Sequence, residues 1–312
     1  MNRPCLVALL VLASACTAAQ SPPLPGIARQ AATLEQSSLE LVLTGADAQA
    51  LALAEQALVL YRRIDATGSI VGALNRIGEL RLAGGARAGA ELAFREADEL
   101  ARQTSDRVGE AAAANNRGAL ARERGDRMRA RTFFLRALAL SEEADAPATE
   151  ASAANNLALL EFEAGRWREA AALLDRALGL DRAAGDTAGE ALRLYNLAAV
   201  EQALGKESHA VEYLEEAHGI DRAREDVPAI ARDLAALAVA RVAAGGDLRR
   251  AINERHRAVS IWRLLQDTSA AEQGRAAILL WCTELAADPA PLDCIIARAQ
   301  ESATRGAGNT VE

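Results

Sequence analysis

Apolar residues recur at helical spacing through almost the whole chain, and small residues punctuate them at a fixed interval. The stretch from Ala153 to Asp181 shows the unit. Two helix-period segments flank a turn at Gly165, with Ala158 in the first and Ala170 and Ala177 in the second. Folded as antiparallel helices about that glycine, the chain brings Ala158 and Ala170 together where the backbones cross. A large residue at either place would push the helices apart. The interval is forty residues. Turn glycines stand at Gly45, Gly85, Gly125, Gly165 and Gly205, then at Gly245 and Gly246 after a small slip. Crossing alanines stand at Ala50, Ala90, Ala130, Ala170, Ala210 and Ala251, and a second series runs from Ala57 to Ala258.

A fixed period of this size marks an array of helical units that bury a core only by stacking on their neighbours. The pattern predicts about seven helical pairs, at 27–65, 66–105, 106–145, 146–185, 186–226, 227–267 and 268–304, and a disordered tail at 306–312. The first pair is irregular at its crossing, where Ser37 and Ser38 stand, as suits a terminal unit. Asp106 and Asp186 offer helix N-caps, and Pro147 and Pro228 fall where new helices begin.

The order small-x6-Gly-x4-Ala-x3-large-x2-Ala, with Leu or Ile three residues on, resembles the tetratricopeptide repeat in a forty-residue form. Phe94, Phe134, Leu174 and Leu214 hold the large position, and Gly78, Gly118, Ala158 and Ala198 the small one. The resemblance covers nearly all of the chain after residue 26. It implies an all-α, right-handed solenoid of helix pairs whose first helices line a concave, protein-binding face.

The N-terminus adds an address. Residues 1–15 combine Arg3, an apolar run from Leu6 to Ala13 and small residues, which is the order of a secretory signal peptide. Ala13-Ser14-Ala15-Cys16 resembles a bacterial lipobox. That resemblance makes Cys16 the lipidated N-terminus of a tether over 16–26, stiffened by three prolines, on an outer-membrane lipoprotein facing the periplasm. The alternative is plain cleavage near Ala19. The lipid is the expected membrane contact, because no other segment is apolar enough to span.

Within the array, amides recur in register. Asn116, Asn156 and Asn196 hold one place in successive first helices, and Asn75, Asn115 and Asn155 lie one residue earlier. Each amide offers a donor pair and an acceptor. The family resemblance implies a ladder that could bond the backbone of an extended peptide; the alternative is that these amides bond a neighbouring helix. Around them Arg122, Leu159, Phe162 and Tyr195 form the expected groove wall, with Phe162 and Tyr195 either anchors for a partner or packing residues between helices.

The net charge of −8 argues against a nucleic-acid partner. Cys282 and Cys294 are twelve apart, the spacing of the crossing pair elsewhere, so the reading is a structural disulfide in an oxidising compartment. Two buried free thiols are the alternative. His209, His218 and His256 complete no catalytic or metal pattern, and no phosphate loop is present, so neither enzyme chemistry nor a cofactor or metal is expected. The expected role is a protein-interaction scaffold, or else a structural lipoprotein of an envelope assembly or secretion complex.

Overall fold

The computed structural model describes residues 26–43 and 45–284. All regular structure among them is α-helical, in thirteen helices. These are α1 (Gly26–Leu43), α2 (Asp47–Arg63), α3 (Thr67–Ala83), α4 (Arg87–Gln103), α5 (Arg107–Glu123), α6 (Arg127–Glu143) and α7 (Pro147–Glu163). There follow α8 (Trp167–Ala184), α9 (Thr187–Ala203), α10 (Glu207–Ala223), α11 (Val227–Ala243), α12 (Leu248–Leu264) and α13 (Thr268–Glu284). Each odd-numbered helix up to α11 pairs with the even one that follows it. The helices fall into two compact units, α1–α8 and α9–α13. Within the first unit each second helix also packs on the next first helix, and α3, α5 and α7 touch in series. Within the second unit, α10 packs on α11 and α12 on α13.

The helices stop where backbone chemistry requires. Every turn inside a pair places its glycine in the left-handed region, with φ between 69° and 79° for Gly45, Gly85, Gly125, Gly165, Gly205 and Gly245. The extra residue Gly246 accounts for α12 starting one place late. Links between pairs need the same conformation but mostly use other residues: Asp65, Ser105, Asp145, Glu225 and Gln266 all have positive φ. Several helix starts are capped. The side chains of Asp106, Asp126 and Asp226 accept from the backbone N–H of Gly109, Arg129 and Ala229.

The crossing residues are among the most deeply buried of the described residues. Ala90, Ala130, Ala158, Ala170, Ala210 and Ala251 expose no more than 1% of their surface. In the first pair the crossing is polar. The buried Ser38 hydroxyl donates to the Ala50 carbonyl at 2.7 Å, across the same twelve-residue interval.

The small position on the first helix answers to the large position on the second. A Cβ added to Gly118 would stand 2.5 Å from the Phe134 ring, and one added to Gly78 would strike the Phe94 ring. Both rings are wholly buried and cannot swing away. Where the second helix carries Leu174 or Leu214 instead, the first helix carries Ala158 or Ala198. One methyl is exchanged for part of a ring at nearly constant volume.

This pairing predicts a double-mutant cycle. Gly118→Ala alone should cost about 1–3 kcal/mol by overpacking against Phe134. Phe134→Leu alone should cost a similar amount by leaving a cavity. Combined, they should recover most of the loss, because the pair then matches Ala158 with Leu174. Urea unfolding of the three variants measures the coupling, and simple additivity would refute it.

Candidate functional site

The amide ladder exists, but it faces inward. Asn75, Asn115, Asn116, Asn155 and Asn156 are all buried. Asn116 Nδ2 donates to Glu79 Oε1 at 3.0 Å and lies 3.5 Å from Asn75 Oδ1, while Asn156 Nδ2 donates to Asn115 Oδ1 at 2.9 Å. The bonds therefore run from α5 to α3 and from α7 to α5. Residues forty-one apart face each other across neighbouring first helices, so each amide meets the residue one place earlier in the preceding copy. This corrects the expectation that these five asparagines are open to a peptide. They fix the register between first helices, since a buried amide must find a partner. Glu79 belongs to the same network. Burial raises its carboxyl above the ordinary value, opposed by Arg76 at 3.4 Å and by the bond from Asn116. Asn196, at the corresponding place in α9, is half-buried.

The remaining wall residues separate into two kinds. Leu159 and Phe162 on α7 are partly exposed and lie outside the core cluster of Phe134, Leu157 and Leu160. Arg122 holds on α5 the place Phe162 holds on α7; it too is partly exposed, and its guanidinium makes no ion pair or hydrogen bond among the described residues. Tyr195 is a packing residue. Its ring joins the cluster of Leu214 and Leu237, and the Arg232 guanidinium lies 4.3 Å over its face.

Arg232 leads to a cluster that the sequence reading missed. It sits 3.2 Å from both Asp221 on α10 and Asp233 on α11. Both carboxylates are fully buried, and Oδ2 of Asp233 has no hydrogen-bond partner. Burial pushes the Asp233 carboxyl up to about 7, with Asp221 adding to the rise and Arg232 opposing it. Asp221 is raised as well, chiefly by burial, while Arg232 and Arg224 oppose. The one trace in the sequence was that Asp181 and Asp221 recur forty apart on second helices.

Cys282 is buried in the last turn of α13 and is disulfide-bonded; Cys294 and Cys16 lie outside the described residues. His209 is exposed beside Glu201 at 3.4 Å, and burial lowers His218 with help from Arg257 and Arg222. Among the described residues no three ligating side chains gather as a metal site, and no helix is long and apolar enough to cross a membrane.

Comparison with known proteins agrees with this geometry. Residues 149–223 match the family model described as tetratricopeptide repeat. No curated protein matches the chain. Among solved structures, BtubC (BKLC) from P. vanneervenii is similar with 21% identity and a TM-score of 0.59, over 78% of this chain and 93% of that one. A signal transduction ATPase with numerous domains from Pyrococcus horikoshii, which carries a tetratricopeptide repeat sensor, is similar with 15% identity and a TM-score of 0.65. The match covers 87% of this chain and 42% of that protein, so this chain corresponds to less than half of it. At these identities the likeness concerns the fold. Residues 149–223 thus carry tetratricopeptide repeats, and the described residues share the all-α helix-pair fold of these structures.

The buried carboxylate pair makes stability depend on pH. Below about pH 4, Asp233 is protonated in both folded and unfolded chains, and folding costs nothing extra. As pH rises toward about 7 the unfolded chain ionises freely while the folded one holds its proton, so stability falls. Relative to Asp233→Asn, the wild-type protein should lose up to about 1.4 kcal/mol per pH unit across that window. Urea midpoints measured from pH 4 to 8 check this, and parallel curves for the two proteins would contradict it.

Proposed function

We propose that the protein is a non-catalytic scaffold that holds an extended segment of a protein partner against the first helices of its α1–α8 unit. Leu159 and Phe162 supply apolar anchors and Arg122 a charged contact. The observation that carries this reading is that these side chains stand partly exposed on first helices, outside the core cluster of Phe134 and Leu160. Inward-facing asparagines beneath them keep the helices in register. Binding thus rests on side-chain anchors, with the amides acting as their support. Because Leu159 and Phe162 are a helical turn apart on one helix, a partner needs two apolar residues close together to reach both.

The same proposal includes an address. Cys16, behind the lipobox-like Ala13-Ser14-Ala15, tethers the scaffold to a bacterial outer membrane on the periplasmic side. A second reading, a structural part of an envelope assembly or secretion complex, has its own support. A cleft of about 270 Å³ opens among Leu58, Val59, Leu74, Ile77 and Leu92 in the α2–α4 region. Val59 and Leu92 are half or more exposed there. An assembly partner would use that side rather than the first-helix face.

Two experiments test the proposal. A photoreactive residue at position 159 captures the partner in cells; Leu159→Glu with Phe162→Ser should then weaken binding of that identified partner at least about tenfold, with helical circular dichroism unchanged. Binding that survives there and is lost on Leu92→Glu would favour the assembly reading. For the tether, globomycin should leave unprocessed precursor in the membrane fraction. Unaltered processing would remove the lipid anchor.

A further inference from the structure

The edge formed by the α5–α6 and α7–α8 turns carries a surface that the first-helix face does not explain. Residues 123–131 hold four arginines against two acids, in a chain whose net charge is −8. Met128, in the first turn of α6, is 78% exposed, and Trp167, in the first turn of α8, is 40% exposed. Single exposed apolar side chains are ordinary, but Trp, Met and Arg together are the residues enriched at protein interfaces.

One buried carboxylate locks the two turns side by side. Glu161, only 3% exposed, pairs with Arg131 of α6 at 3.0 Å and with Arg166 just before α8. Met128 lies one helical turn ahead of Arg131, and Trp167 follows Arg166 directly. The clamp therefore holds both apolar side chains on one edge without using the outer arginines. Arg127 and Arg168 are exposed, and their guanidinium groups make no ion pair or hydrogen bond among the described residues. Arg129 is 78% exposed and lies 3.4 Å from the neighbouring Asp126.

The preceding edge is different. At the α3–α4 turn Arg87 pairs with Glu123, and Glu91 takes Arg124 at 2.9 Å, so those charges are already matched. The positive ends of α6 and α8 also disfavour cations in their first turns, so Arg127, Arg129 and Arg168 do not stand there to stabilise their helices. Exposed Glu163 and Glu169 border the patch on the α7–α8 side, which leaves its basic half over α6.

We propose that this edge is a second docking surface, which takes an acidic protein segment bearing one or two apolar or aromatic residues. Carboxylates on the segment pair with Arg127, Arg129 and Arg168. Its apolar residue packs between Met128 and Trp167. The inference stands whether or not Leu159 and Phe162 bind a partner, because the two surfaces share no side chain.

The test is a titration of the full-length mature protein with a fluorescein-labelled peptide of Glu, Asp, Leu and Phe, read by anisotropy and by Trp167 emission. A second peptide replaces every acid with Lys, and phosphatidylglycerol vesicles form the third arm. The acidic peptide should bind and shift Trp167 emission to the blue. Arg127→Glu with Arg168→Glu should weaken binding about tenfold or more, and Met128→Ser with Trp167→Ser should do the same. Leu159→Glu should leave this binding unchanged, which separates it from the first-helix face. Equal affinity of the wild type and the two edge variants overturns the proposal. So does equal binding of the acidic and basic peptides. Vesicle binding without peptide binding also overturns it, by making the edge a membrane contact.

Discussion

Everything in this array depends on how closely two helices of a pair approach, and that distance is set by one small residue lying under one large one. Gly118 under Phe134 and Ala158 under Leu174 are two solutions to the same volume. Either keeps the backbones near enough for the crossing alanines to be sealed from water. The apolar area of one pair is modest, so a pair held slightly apart would lose its core and the face it offers to the next pair. Alanine dominates because it is the strongest helix former and the smallest side chain that keeps a Cβ.

Polar groups inside the stack settle register where apolar packing is permissive. The amides of Asn115, Asn116 and Asn156 bond from one first helix to the next. Asp98 does the same with charge: Arg117 of α5 and Arg136 of α6 donate to it at 2.7 and 3.0 Å, and Arg136 continues to Glu110. Buried carboxylates of this kind add little net stability, since desolvation offsets much of the attraction. They penalise any slip, because a shifted helix would leave a buried charge without its partner. Asp221 has Arg224 at 2.8 Å as well as Arg232, but Asp233 has Arg232 alone, so its compensation is incomplete and burial lifts its carboxyl to about 7.

With the interior amides and carboxylates committed to register, the chemistry left for partners is on the surface, and it is uneven. Second helices and turns alternate between matched charges, as at Arg87 and Glu123, and unmatched ones, as at Arg127 and Arg168. A repeat that copied every position would show the same face along its length. This chain copies only the positions that build the pair and varies the rest, which gives each edge its own chemistry.

The amino-acid sequence alone determined the helix pairs, their glycine turns, the slip at Gly246 and the crossing alanines, because each is a local or strictly periodic demand of the backbone. The caps at Asp106 and the starts at Pro147 and Pro228 were legible for the same reason. Tertiary structure alone decided which way the asparagines point. Asn116 and Asn156 occupy places from which an amide can turn outward to a partner or inward to the next helix. The choice depends on the offset between stacked first helices, which no single repeat encodes. The same holds for Glu161, whose two arginines come from α6 and from the turn before α8. Contacts between copies depend on how the copies are laid against one another, and only the folded chain fixes that.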